Sequence, residues 1–305
     1  MEKPLVIVIV GPTASGKTRL SIELAKKING EIISADSMQI YKDMCIGSAK
    51  PTKEEMGEIK HYLIDCIIPT ERYSVSQYKK QAIEAIIEVL KKGKTPIIVG
   101  GTGLYVDSLT YGIDYQEMEI DLEYRKELEE KADNGELHKL YEQAKKIDPE
   151  AMEIISANDR KRIFRILEIY KATGKNKTEQ NRESLKNGVL HDYRIFALDW
   201  ERETLYDRIN RRVDIMIEQG LIQEVKDLLH KYDDMPTAMQ GLGYKEVKQY
   251  LDKELTKEEM IEKIKSETRK YAKRQLTWFR KNKNTTWLKG ESKLEENIKI
   301  ILENI

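Results

Sequence analysis

Eight residues carry the strongest chemical signal in this sequence: Gly11-Pro12-Thr13-Ala14-Ser15-Gly16-Lys17-Thr18, directly after the apolar run Leu5-Val6-Ile7-Val8-Ile9-Val10. The spacing G-x-x-x-x-G-K-[ST] behind a strand-like run is the P-loop pattern in a credible context. Gly11 and Gly16 let the backbone curl so that successive N–H groups face one point. Lys17 adds a mobile positive charge, and the following helix adds its N-terminal partial charge. Thr18 supplies a hydroxyl suited to Mg²⁺. Such a site binds a diphosphate or triphosphate, but the motif does not say whose. An ATP-cleaving site also needs an acid after a hydrophobic strand. The obvious strand, Thr95–Val99, runs instead into Gly100-Gly101-Thr102-Gly103, and Asp199 lies far along the chain.

Asp36 follows the strand-like Glu31-Ile32-Ile33-Ser34. The carboxyl ends of parallel strands are where such sheets bind ligands, so Asp36 is a general base, an Mg²⁺ ligand, or a loop or N-cap aspartate. Gly100-Gly101-Thr102-Gly103 either lets a ligand approach the backbone closely or is a flexible strand-to-helix turn. Arg208, Arg211 and Arg212 reach a phosphate or pair with Asp207 and Asp214. In Lys161-Arg162-Ile163-Phe164-Arg165, the two arginines project together from a predicted helix whose apolar face is Ile163, Ile166, Leu167 and Tyr170. From Arg269 to Lys283 there are seven basic residues and no acid, with Tyr271, Trp278 and Phe279 interleaved. In a neutral protein this is a local nucleic-acid footprint, although some of these aromatics must be core.

These residues have to be positioned by a folded scaffold. The chain has 305 residues, 40% of them hydrophobic and 35% charged, which suits a globular protein and not a disordered one. Lys+Arg and Asp+Glu are both 53, so nucleic-acid binding would need local patches. Cys45 and Cys66 lack metal-ligand spacing and read as free thiols in a reducing, cytoplasmic setting. No run approaches roughly 18 apolar residues, so no membrane span is expected. Met1-Glu2-Lys3-Pro4 leads directly into a strand, leaving no room for a signal peptide.

Strands at 4–10, 31–34 and 95–99 alternate with helices at 17–28 and 76–92, which predicts a parallel α/β sheet. After about residue 113 the chain turns charged, with helical stretches at 121–132, 136–146, 149–155 and 159–172. A strand returns at Tyr193–Leu198, followed by helical segments at 203–231 and 257–281. The expected fold is a P-loop NTPase-like α/β core, 1–112 and 193–305, with helices flanking a parallel sheet and an all-helical insertion at 113–192.

Taken together, GPTASGKT at 11–18, DSMQIYKDMCIGSAKP at 36–51, GGTGLY at 100–105, NDRKRIFRILE at 158–168, GLGYKE at 241–246 and TRKYAKRQLTWFR at 268–280 resemble the tRNA dimethylallyltransferases. The blocks occur in that family's order and span nearly the whole chain. The resemblance implies transfer of a dimethylallyl group from its diphosphate to N6 of adenine 37, beside the anticodon, assisted by Mg²⁺. The P-loop would then hold the prenyl diphosphate, which accounts for the missing second acid. It further implies that Asp36 is the general base, that Ser37, Met38 and Gln39 read the target base, and that Thr102 lies near the leaving diphosphate. Arg212 would help to hold that diphosphate. Arg125, Lys161–Arg165 and the stretch Met239-Gln240-Gly241-Leu242-Gly243-Tyr244 match tRNA-contacting positions. The insertion would grip one side of the anticodon stem-loop and the basic helix bearing Lys273 and Arg274 the other. A monomer without membrane contact is expected. The competing readings are an adenylate isopentenyltransferase on free AMP, ADP or ATP, a P-loop kinase, and a non-catalytic RNA-binding protein.

Overall fold

Alternation along the buried strands decides the architecture. Val6, Val8 and Val10 enter one apolar cluster with Ile33, Ile98 and Ala197, whereas Ile7 and Ile9 enter another with Ile32, Ile97 and Phe196. A strand buried on both faces needs helices on both faces. The computed structural model describes residues 3–115, 121–186 and 188–305. Met1, Glu2 and the part of the expected insertion at 116–120 and 187 lie outside them.

In chain order the elements are β1 (Leu5–Val10), α1 (Lys17–Ile28), β2 (Gly30–Ala35), the single turn α2 (Lys53–Met56), β3 (His61–Tyr62), α3 (Val75–Lys91), β4 (Thr95–Gly100) and α4 (Gly103–Thr110). Five helices follow: α5 (Leu122–Lys131), α6 (Leu137–Ile147), α7 (Pro149–Met152), α8 (Arg160–Thr173) and α9 (Lys177–Leu185). The chain then runs through β5 (Asp192–Asp199), α10 (Arg202–Glu218), α11 (Leu221–Lys231), α12 (Tyr244–Leu251), α13 (Lys257–Phe279), β6 (Thr285–Lys289) and α14 (Leu294–Leu302).

The strands form one parallel sheet in the order β3-β2-β4-β1-β5-β6, flanked by helices. Two compact units result, Met1–Thr110 with Leu190–Ile305, and Tyr111–Val189. The second unit has its own core of Leu128, Leu140, Met152, Ile163, Phe164 and Leu167. Buried Asp148 ties its parts together by accepting hydrogen bonds from Ala151 N, Thr178 N and Thr178 Oγ1.

Several elements differ from the sequence expectations. The helical stretch at 203–231 is broken at Gly220, which adopts φ 100 between α10 and α11. The stretch at 149–155 shortens to α7, and Tyr170 is exposed instead of lying on the apolar face of α8. Helix α9 buries only Ser184, so it shows no apolar stripe to read. β3 is two residues long and held by pairing with Ile32 and Ile33. No helix among the described residues is long and apolar enough to cross a membrane.

Candidate active site

The sheet register brings the chemically suggestive loops to one edge. Val10 pairs with Gly100 and Ala197, and Gly100 pairs with Ala35. Gly11, Asp36 and Gly101 therefore all leave the sheet at the same carboxyl edge, where such folds place ligands.

The loop from Gly11 to Gly16 turns through left-handed backbone at Ala14 (φ 62) and Gly16 (φ 94). Three consecutive residues of this turn are held from outside. Thr13 N donates to Gln275 Oε1 (2.9 Å), Arg208 Nε donates to Ala14 O (2.8 Å) and Trp200 Nε1 donates to Ser15 O (3.0 Å). The Arg208 guanidinium also lies over the Trp200 ring, 4.2 Å from its centroid. Lys17 Nζ folds back onto Gly11 O (3.0 Å) and Pro12 O (2.7 Å). Burial first, and then the charge of Arg212, push the Lys17 pKa down to about 7 against the opposing pull of Asp36. Thr18 stands half-buried in the first turn of α1.

Asp36 begins a tight turn. Its Oδ1 accepts from Met38 N (2.9 Å) and Gln39 N (3.3 Å), as a turn aspartate does, yet the residue also lines a cavity. Thr102 supports this turn from behind: its Oγ1 accepts from Ser37 N (3.1 Å), and its own N–H donates to Ala35 O (3.1 Å). Gln39 is occupied structurally, accepting from Ser34 Oγ and donating to Ser48 O and Ala49 O. Glu224 of α11 fixes the next part of the loop, accepting from the N–H groups of Cys45, Ile46 and Gly47 and from the Tyr244 hydroxyl. Tyr244 in turn accepts from Ser48 N (3.2 Å). Gly241 packs so closely against Met38 that a Cβ there would lie 2.7 Å from the Met38 sulfur. The sequence blocks at 36–51 and 241–246 are thus one packed structure.

A cavity of about 330 Å³ opens between these loops and two helices. One part of its wall is polar, with Thr13, Asp36, Ser37 and Arg212. Another part is apolar, formed by Ile209, Val213 and Met216 of α10 with Ile264 of α13. The spacing 209, 213, 216 is one face of a helix, so α10 presents an apolar stripe beside the Arg212 guanidinium. Met38, Gln240, Gly241, Leu242, Gly243, Tyr271 and Arg274 also line it, with Ala14, Gly47, Ser48 and Thr268.

Other candidates fall elsewhere. Within the stretch Lys161–Arg165, Ile163 and Phe164 are core residues of the second unit, on the apolar face of α8. Lys161 and Arg162 are exposed and Arg165 is half-buried. Arg125 is committed to Glu168 through Nε (2.6 Å) and Nη2 (2.9 Å). Met239 and Tyr244 are buried, whereas Gln240 and Leu242 reach the cavity wall. Asp199 accepts from Trp200 N and faces Arg280 at 3.4 Å. Asp214 pairs with Lys265 and not with a neighbouring arginine. Of the basic stripe, Lys273 and Arg274 are exposed, while Lys270 pairs with Glu267 and Arg269 donates to Asn210. Both cysteines are free and exposed.

The glycines of the second loop serve packing within the protein. A Cβ at Gly100 would lie 2.1 Å from Ala35 O, at Gly101 2.1 Å from Gln275 Nε2, and at Gly103 2.4 Å from Trp278. Gln275, Trp200 and Glu224 were not singled out from the sequence, whereas Arg208 was, and it meets the phosphate loop through Ala14 O. Of the first three, only Gln275 left a signal: the series Ile264, Tyr271, Gln275, Phe279 puts an amide in the near-helical apolar register of α13. Glu224 lies 177 residues from Gly47, and no local pattern links them.

Comparison with known proteins bears on this arrangement. The family model described as "IPP transferase" matches residues 39–282. A tRNA dimethylallyltransferase of Acetivibrio thermocellus is 49% identical over 303 residues, 97% of each chain. One from Halothermothrix orenii is 50% identical over 94% of this chain and 88% of its own. The crystal structure of a tRNA delta(2)-isopentenylpyrophosphate transferase from Staphylococcus epidermidis superposes with a TM-score of 0.73 at 42% identity, covering 99% of both chains. A eukaryotic dimethylallyltransferase, described as acting on tRNA, superposes with a TM-score of 0.79 at 32% identity, covering 94% of this chain and 74% of that one. With the matched model spanning most of the chain and relatives near half-identical over almost all of it, this chain belongs to the IPP transferase family.

Proposed function

We propose that this protein transfers a dimethylallyl group from dimethylallyl diphosphate to N6 of adenine 37 in the anticodon loop of tRNA. The observation that carries the reading is the divided wall of the cavity. A carboxylate and a guanidinium stand at the phosphate-loop side, and the apolar stripe of α10 runs beside them. The guanidinium and phosphate loop suit an anionic diphosphate head, the apolar stripe a short hydrocarbon tail, and the carboxylate an amine that must lose a proton. Relatives named tRNA dimethylallyltransferase, similar over nearly the whole chain, support the same reading.

An adenine amine is a weak nucleophile because its lone pair is delocalised into the ring. A carboxylate in hydrogen-bond reach raises the rate by about 10²–10⁴-fold. Asp36 fits that role: its Oδ1 is held by two backbone N–H groups, which aims the rest of the carboxylate at the cavity. As the C–O bond to the diphosphate breaks, negative charge grows on the leaving group. Loop N–H groups of Gly16–Thr18, with Lys17 and Arg212, neutralise it. Thr18 offers a hard hydroxyl oxygen at the first turn of α1, which fits Mg²⁺, an ion that takes few protein ligands and completes its shell with water and phosphate. Mg²⁺ bound there would share the charge of the leaving diphosphate.

The base must leave its stack to reach a partly enclosed carbon, so base flipping is part of the cycle. Ser37 and Met38 on the cavity wall would meet the flipped base. Thr102 and Gln39 support that turn without lining the cavity. Exposed Lys273 and Arg274 in the first unit and Lys161 and Arg162 in the second supply cations for an RNA backbone. The enzyme would act as a monomer in the cytoplasm.

The test is one incubation of the protein with Mg²⁺, dimethylallyl diphosphate and unmodified tRNA containing A36-A37. The expected result is a mass increase of one dimethylallyl group on the anticodon loop. Prenylation of free AMP without tRNA modification, or phosphorylation from ATP, overturns the reading.

A further inference from the structure

Gln275 sits on α13, a helix that otherwise buries Met260, Ile264, Ala272 and Phe279. Only 5% of it is exposed. A buried amide costs stability unless its hydrogen bonds are met, and this one meets them on two loops at once. Oε1 accepts from Thr13 N (2.9 Å) in the phosphate loop, and Nε2 donates to Gly101 O (2.9 Å) after β4. The requirement for one acceptor and one donor fixes which way the amide faces. The missing side chain of Gly101 lets the amide come this close, since a Cβ there would lie 2.1 Å from Nε2. The next residue, Thr102, carries the Asp36 turn through Ser37 N.

We propose that Gln275 is a positioning residue for the reaction: its amide sets the spacing between the loop that receives the diphosphate and the turn that carries Asp36. The inference rests on the reading above that Gly11–Thr18 receives a diphosphate. Gln275 touches neither substrate nor reacting atom. It acts through the Thr13 N–H and the Gly101 carbonyl, and its carboxamide supplies that donor–acceptor pair in neutral form across the pH range. Displacing a reacting centre by about 1 Å costs on the order of 10²-fold in rate, so the loss should fall on kcat more than on KM for tRNA.

Two variants test this. Gln275→Met keeps the volume and loses both hydrogen bonds. Gln275→Glu keeps them only while its carboxyl is protonated, when C=O accepts from Thr13 N and O–H donates to Gly101 O. The ionisable groups around this amide and the loops it joins include Tyr271 and Arg274 on its own helix with Lys17, Asp36, Arg208 and Arg212, so each rate is divided by the wild-type rate at the same pH. The expected result is a kcat lower by about 10²-fold for Gln275→Met at every pH, with an unchanged melting temperature within a few degrees. Gln275→Glu should recover toward wild type at the acid end and fall as pH rises. A wild-type kcat in Gln275→Met overturns the proposal. So does a Gln275→Glu to wild-type ratio that stays flat with pH. If Gln275→Met does not fold, the pH profile of Gln275→Glu decides alone. Should the wild type transfer no dimethylallyl group, the proposed function fails, and inorganic pyrophosphate binding still decides the role of Gln275. Weaker binding in both variants supports it, and unchanged binding removes it.

Discussion

Asp36 illustrates how one side chain serves local structure and chemistry together. Its Oδ1 closes a turn with Met38 and Gln39 N–H, and the same hydrogen bonds fix where the carboxylate points. Asp36→Asn keeps the size and the turn-closing oxygen but is no base. Turnover should fall by about 10²-fold or more while tRNA affinity stays within a factor of two or so; measured turnover equal to wild type would remove Asp36 as the base. Lys17 makes a prediction in pH. Burial and Arg212 hold its pKa at about 7 in the free protein, and a bound diphosphate favours the charged form and raises it. The advantage of wild type over Lys17→Met in pyrophosphate affinity is therefore full below about pH 7 and declines above it. Calorimetric titration across pH 6–9 checks this on both proteins, and a constant ratio refutes it.

At the scale of elements, α13 combines two tasks that its sequence shows only in part. Its buried face carries Ile264, Gln275 and Phe279, and it exposes Lys273 and Arg274, the latter also lining the cavity. Lys273→Glu with Arg274→Glu should weaken tRNA binding and lower the slope of log affinity against log salt by about 1 for each phosphate left without its cation. Filter binding over a salt series measures it; an unaltered slope would assign those cations to the protein's own surface. Helix α11 has a comparable double use. Glu224 anchors three successive N–H groups of the 45–47 loop, while Leu221, Val225 and Leu228 pack into the core. The periodicity of α10 and α13 was legible in the sequence. Their division of labour was not, because it depends on which residues of distant loops end up opposite each turn. Arg208 shows this, since its choice of Ala14 O over Asp207 is a choice between partners 194 residues away and one residue away.

For the whole molecule, the sheet is what converts sequence blocks into a site. Four strand ends lie in one row, so the P-loop, the Asp36 turn and the Gly101 loop are neighbours although nearly 90 residues separate the first from the last. Ile9 lies at the centre of that sheet, fully buried and paired with Val99 and Phe196. Ile9→Ala should lower stability by about 2–5 kcal/mol, read as a shift in urea midpoint; a shift equivalent to less than about 1 kcal/mol would mean that the sheet repacks around the gap. The sequence by itself determined the phosphate loop, the strand–helix alternation and the family blocks, because these are local: turn glycines, apolar runs and helical spacing act within a few residues. Only the tertiary structure decided that the second glycine loop yields to Gln275 and Trp278, that Phe164 belongs to a core, and that Arg208 turns to Ala14 O. Those outcomes turn on which side chains meet across long separations in the chain, and a buried amide or guanidinium takes whichever partner the packed structure leaves within hydrogen-bond reach.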